Sequence, residues 1–139
     1  MLDVEIAKRQ LSEKGFNLVI VKDEKIILET RQSGVSGFLS AIEELGRERL
    51  HAASVADRIV GRAAALLCVY CSVRAVYAVV LSEGGKSVLK ENSVSLEFKD
   101  LVPSILNRQK TGTCPFEKIV STVSDGQEAY EKLKSCVSG

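Results

Sequence analysis

Apolar residues recur along this chain with two different periods, and the alternation between them outlines the fold. From Leu2 to Lys14, Val4, Ala7 and Leu11 fall at three- and four-residue steps, the stripe of an amphipathic helix that Gly15 stops. Phe16 to Val21 is apolar at five of six positions, Lys22-Asp23-Glu24 is a polar turn, and Lys25 to Thr30 reads as a second strand. The short connection predicts a hairpin. Arg31 to Gly37 reads as a Gly/Ser-rich loop, Phe38 to Leu45 as a helix ended near Gly46, and Arg47 to Ser54 as its continuation into the next element.

The most apolar stretch, from Asp57 to Ser82, reads as the centre of the fold. Ala56, Ile59, Val60, Ala63, Leu67, Tyr70 and Cys71 fit one helical stripe, with Asp57, Arg58 and Arg62 on the opposite side. Asp57 then lies in the first turn, where the helix dipole favours a carboxylate. A mid-helix Gly61 costs roughly 1 kcal/mol against alanine, so it implies close approach to a sheet. Ala75 to Leu81 is apolar on both faces, which marks a central strand. Ser82-Glu83-Gly84-Gly85-Lys86-Ser87 opens a short helix to about Asn92, and Val94 to Phe98 alternates as a half-buried strand. Strand, helix, strand is a parallel, right-handed crossover. Leu101 to Leu106 reads as an edge strand because Pro103 is excluded from a central position. A polar loop, Asn107 to Thr113, leads to a helix opening at Cys114-Pro115 and a last helix from Asp125 to Cys136. The order α-β-β-α-α-β-α-β-β-α-α predicts an α/β fold, a three-layer α/β/α sandwich with a mixed sheet, in a single domain over residues 1–139.

Composition narrows the functional classes. With 139 residues the chain suits one domain. A net charge of +1 supplies no broad field for nucleic acid or a membrane surface, and no apolar run is long enough to span a bilayer. The start, Met1-Leu2-Asp3-Val4-Glu5, is acidic and amphipathic, unlike a secretion signal. The four cysteines therefore read as reduced thiols, and a cytoplasmic location is expected.

Candidate chemistry sits in four places. Cys68-Val69-Tyr70-Cys71 has redox or zinc spacing, but it falls at a helix C-terminus, where the dipole opposes a thiolate. These cysteines read as structural. Gly84-Gly85-Lys86-Ser87 joins a strand to a helix, as a tight turn or as an anion site where backbone N–H groups, Lys86 and Ser87 hold a phosphate. It is not a full phosphate-binding loop, because the first glycine of that motif would fall at Val80. At Thr113-Cys114-Pro115-Phe116-Glu117, Cys114 reads as an N-cap, Pro115 as the first helical residue and Glu117 as the third residue of a capping box. The same residues offer a thiol at a helix N-terminus, an acid or base in Glu117, and with Asn107 and Arg108 an anion contact. His51, the only histidine, has no second one for an acid–base pair and reads as a surface or packing residue.

Asp57-Arg58-Ile59-Val60-Gly61-Arg62-Ala63-Ala64-Ala65, with Val102-Pro103, Asn107-Arg108 and Cys114-Pro115-x-Glu117, resembles an uncharacterised family of small prokaryotic proteins. The similarity covers almost the whole chain. The resemblance implies a cytidine deaminase-like fold without an assigned activity. Zinc deaminases need a His or Cys followed by Glu at one helix start and Pro-Cys-x-x-Cys at the next. Here the corresponding stretches are Ala56-Asp57-Arg58 and Gly84-Gly85-Lys86-Ser87, so both halves of a zinc site are missing. Hydrolytic deamination is not expected, and no metal or other cofactor is implied. The expectation is a metal-free binder of a nucleotide or related phosphate-bearing molecule. Gly84, Gly85, Lys86, Ser87, Arg58, Arg62, Asn107 and Arg108 would hold the ligand, with Asp57, Cys114 and Glu117 as reactive groups. The alternatives are a protein-interaction module without a small ligand and a thiol enzyme using Cys114.

Overall fold

The polar turn at Asp23-Glu24 folds the first two strands onto each other. In the computed structural model, which describes residues 2–32, 34–106 and 109–138, helix α1 (Asp3–Lys14) precedes strands β1 (Leu18–Lys22) and β2 (Lys25–Thr30), which pair antiparallel. Asp23 and Glu24 both take left-handed φ values, 51° and 66°, the backbone of a two-residue hairpin turn that usually prefers Asn-Gly. Asp3 supports this turn from α1. Its two carboxylate oxygens accept the Asp23 and Glu24 backbone N–H groups at 3.0 and 2.9 Å.

The chain continues through α2 (Gly34–Leu50), β3 (Ser54–Val60), α3 (Arg62–Tyr70), β4 (Ala75–Ser82), α4 (Glu83–Glu91), β5 (Ser95–Val102), α5 (Pro115–Ile119) and α6 (Gly126–Ser138). The sheet order is β2-β1-β3-β4-β5. β1 runs antiparallel to both neighbours, and β3, β4 and β5 are parallel. Both crossovers step across the sheet in one direction, so equal handedness puts α3 and α4 on the same face. The core on that face joins Phe38, Leu50, Leu66, Leu67, Leu89 and Leu133 from α2, α3, α4 and α6. On the other face, α1 lays Ala7 and Leu11 over Val19, Val21, Ala56 and Tyr77. The result is a three-layer α/β/α sandwich with a mixed sheet, its helical layers unequal in size.

Several expected elements are corrected. Residues 56–71 do not form one helix: Ser54–Val60 is β3, paired with β1 on one side and β4 on the other. A short apolar run buried on both faces carries no reliable period, and pairing with two strands decided its form. Asp57 and Arg58 therefore lie on a strand, and Gly61 is the N-cap of α3 instead of a mid-helix residue. The element order becomes α-β-β-α-β-α-β-α-β-α-α. Leu101 and Val102 complete β5, and among the described residues beyond Pro103 the strand pairing is reduced to an isolated bridge between Leu106 and Thr113. The loop expected over 31–37 is shorter, because α2 begins at Gly34. Gly46, with φ 78° and ψ 160°, breaks α2 where a stop was expected, and one further turn follows. Gly84 to Ser87 are not an open turn but lie inside α4.

Candidate functional site

At the carboxyl end of β3 the sheet opens into a cleft of about 220 Å³. The first turn of α2 contributes Gly34, Val35 and Ser36. The joint between β3 and α3 contributes Ile59, Gly61 and Ala64, and the chain from 105 to 117 closes it with Ile105, Leu106, Cys114, Phe116 and Glu117. Ile59 is 47% exposed although it sits on a central strand, which leaves an apolar wall open to solvent. A larger groove of about 390 Å³ lies between β2 and α2, but it brings together none of the candidate residues. The cleft at β3 joins two of them and lies where open α/β sheets bind ligands.

Glu117 organises this cleft. Its carboxylate oxygens accept the backbone N–H groups of Arg62 and Ala63 at 2.7 and 2.8 Å. These N–H groups at the start of α3 have no partner within their own helix, and a carboxylate there also meets the positive end of the helix dipole. Gly61 makes room for it. A Cβ at that position would overlap the Glu117 carboxylate and come within 2.7 Å of Ile105 Cγ1. The capping box expected within α5 is thus not formed. Cys114 is the N-cap and Pro115 follows it, but Glu117 turns away from Cys114 to cap α3.

A family model described as a domain of unknown function, DUF1893, matches residues 6–137. The chain belongs to the DUF1893 family. A crystal structure of a DUF1893 family protein from Thermotoga maritima superposes with a TM-score of 0.86 at 23% identity, covering 96% of this chain and 88% of that one. This likeness concerns the fold alone. The RibD structure from Acinetobacter baumannii superposes with a TM-score of 0.48 at 22% identity, covering 70% of this chain and 33% of that one. No curated protein matches the sequence.

In this DUF1893 chain, Cys114 and Glu117 are the expected site residues that meet in the cleft. Asp57 does not line it. Asp57 is 3% exposed, and its Oδ1 accepts the Ile59 N–H at 3.4 Å. Burial raises its pKa to about 7, an effect the Ile59 and Arg58 backbone N–H groups reduce. Arg58 points to the opposite face, where its guanidinium donates to the carbonyls of Phe16 and Leu11 at 2.9 and 3.1 Å and closes the end of α1. Arg62 donates through Nε to the Val120 carbonyl at 3.1 Å and through Nη2 to that of Val123, tying the α5–α6 connection to α3.

The glycine pair serves packing as well. Ser82 caps α4, its Oγ accepting the Gly85 N–H at 3.0 Å. A Cβ on Gly85 would stand 3.0 Å from the carbonyl oxygens of Val60 and Gly61, so α4 rests on the β3–α3 joint. Lys86 Nζ lies 5.5 Å from the centre of the Phe98 ring, and Ser87 is exposed. Asn107 and Arg108 lie outside the described residues. Cys68 and Cys71 are buried, and burial pushes both thiols up, Cys71 to about 12. Among the described residues no group of three His, Cys, Asp or Glu side chains is placed to hold a metal ion, and no helix is long and apolar enough to cross a membrane. No local pattern in the sequence links the walls Val35, Ile59, Ile105, Leu106 and Phe116, which come from three separate segments.

Proposed function

We propose that this protein binds a small ring-bearing ligand of the nucleoside or nucleotide class in the cleft at the carboxyl end of β3. The observation that carries the reading is the cleft itself: an open apolar wall at Ile59 facing a half-buried thiol, Cys114, and a fixed carboxylate, Glu117. Its position follows the rule that ligands of open α/β sheets lie beyond the carboxyl ends of the strands. A volume of about 220 Å³ suits one ring system and its substituent and is small for a dinucleotide. The resemblance of the sequence to a family with a cytidine deaminase-like fold supports the nucleoside class. A thiol and a carboxylate already engaged by two amides offer a metal no complete ligand set.

The test is a thermal-shift series with nucleosides, mononucleotides and dinucleotides, each with and without chelator. A ligand at a hundredfold excess over its dissociation constant adds about 2.7 kcal/mol of stability. A shift that survives chelator and disappears in Ile59→Glu, but persists in Ile26→Glu on the β2 edge, supports the reading. A shift that Ile59→Glu leaves intact puts the ligand elsewhere. No shift with any ligand favours the protein-interaction module.

A further inference from the structure

Four helices begin at or beside the cleft. α5 is only five residues long, its Glu117 N–H donating to the Cys114 carbonyl at 3.0 Å, and the N-termini of the other three are where a phosphate would be held. At α3 and α4 this place already faces an acceptor of the protein's own. At α3 the Glu117 carboxylate accepts the Arg62 and Ala63 N–H groups. At α4 the Ser82 hydroxyl accepts the Gly85 N–H, and Glu83 adds a negative charge to the first turn. At α2 the first turn is crowded by the backbone of Gln32, whose carbonyl oxygen would stand 2.6 Å from a Cβ on Gly37. The two arginines nearest the β3–α3 joint, Arg58 and Arg62, donate to backbone carbonyls outside the cleft. Among the described residues lining the cleft, the one full charge is therefore the negative charge of Glu117.

A carboxylate oxygen has two acceptor sites, and each oxygen of Glu117 uses one on α3. The remaining acceptor capacity belongs to a side chain that lines the cleft. Beside the cleft's apolar wall, a bound anion would face this charge at close range with no cation from the described lining residues between them, an arrangement that costs more there than in water. A ligand donor, such as a ring N–H or an exocyclic amine, would instead complete the carboxylate's hydrogen bonds.

We propose that the cleft selects an uncharged, hydrogen-bond-donating ring ligand and discriminates against its phosphorylated form, Glu117 being the residue that sets this preference. The inference rests on the reading of the cleft as a ligand site. The experiment compares the common nucleosides with their 5′-monophosphates by titration calorimetry, in the wild-type chain and in Glu117→Gln. A wild-type nucleoside affinity at least about tenfold above that of its monophosphate is expected, a difference of about 1.4 kcal/mol. In Glu117→Gln the ratio should fall towards one. Should that variant melt too low to titrate, the wild-type salt series decides. Repulsion is screened by salt, so monophosphate binding should strengthen from low to high ionic strength while nucleoside binding stays level. Monophosphates that bind as tightly as nucleosides, or more tightly, overturn the selectivity and leave the ligand site standing. Absence of binding by either class removes both.

Discussion

Asp57 is a buried acid with no cation beside it among the described residues, and its ionisation should be legible in the stability of the whole chain. Burial raises its pKa from an ordinary 3.8 to about 7. Below about pH 4 folded and unfolded chains both carry the proton, and the neutral acid fits its site. Between about pH 4 and 7 the unfolded chain has released the proton and the folded chain still holds it. The folded state then binds more protons, so stability falls as pH rises. The slope is about 1.4 kcal/mol per pH unit, and over a window of about three pH units the loss reaches about 4 kcal/mol. Above pH 7 both states are ionised and the slope ends. Cys68, the neighbouring thiol, is held neutral by burial and adds no slope in this range.

Asp57→Asn keeps the shape and removes the titration. Its amide also brings N–H donors to a site that supplies backbone N–H groups, an offset of about 1–3 kcal/mol that does not vary with pH. The readout is therefore the slope of the difference between the two proteins. Urea unfolding of both at half-unit steps from pH 4.5 to 8 should show the variant gaining on the wild type steadily up to about pH 7, then running parallel to it. A difference that is flat across this range would mean that the folded protein ionises Asp57 near its ordinary pKa, and the burial argument would fail.

Gly61→Ala should lower stability by about 2 kcal/mol or more, since the new Cβ displaces the Glu117 carboxylate and crowds Ile105, removing a charge-assisted cap from α3. Thermal melts check this, and a Gly61→Ala protein as stable as wild type would show that the cap contributes nothing. Thiol labelling followed by mass spectrometry should find Cys136 and Cys114 modified in the native protein, with Cys68 and Cys71 modified only in denaturant. Early modification of Cys68 or Cys71 would contradict their burial in the core at the end of α3.

How far the fold could be read from sequence depended on whether a segment's environment is visible in its own residues. β4 is apolar on both faces for seven residues, Ala75 to Leu81, and such a run between two helices has few other uses. The hairpin announced itself through a polar turn of fixed length between two apolar runs. β3 did not. Its apolar residues Ala56, Ile59 and Val60 match helical spacing by chance, and a helix-favouring alanine run follows immediately. What makes Ser54–Val60 a strand is the pair of neighbours that supply its backbone partners, β1 and β4, both more than ten residues away. The same blindness affected the site. Cys114 and Pro115 signal a helix start by local chemistry, but Glu117 reads locally as part of its own helix's cap, because its actual partners, Arg62 and Ala63, stand more than fifty residues earlier.

The glycines show the limit most clearly. Gly61 and the pair Gly84-Gly85 each signal that something must come close to the backbone, and from sequence a ligand and a neighbouring segment are equivalent candidates. In the folded chain Gly61 admits the Glu117 carboxylate, and Gly85 admits the carbonyls of Val60 and Gly61. The two features are one arrangement: α4 leans on the joint that Glu117 caps, so the starts of α3 and α4 are held together from within. A phosphate site and this internal contact require the same absence of side chains. Only the identity of the approaching oxygen separates them, and here it belongs to the protein.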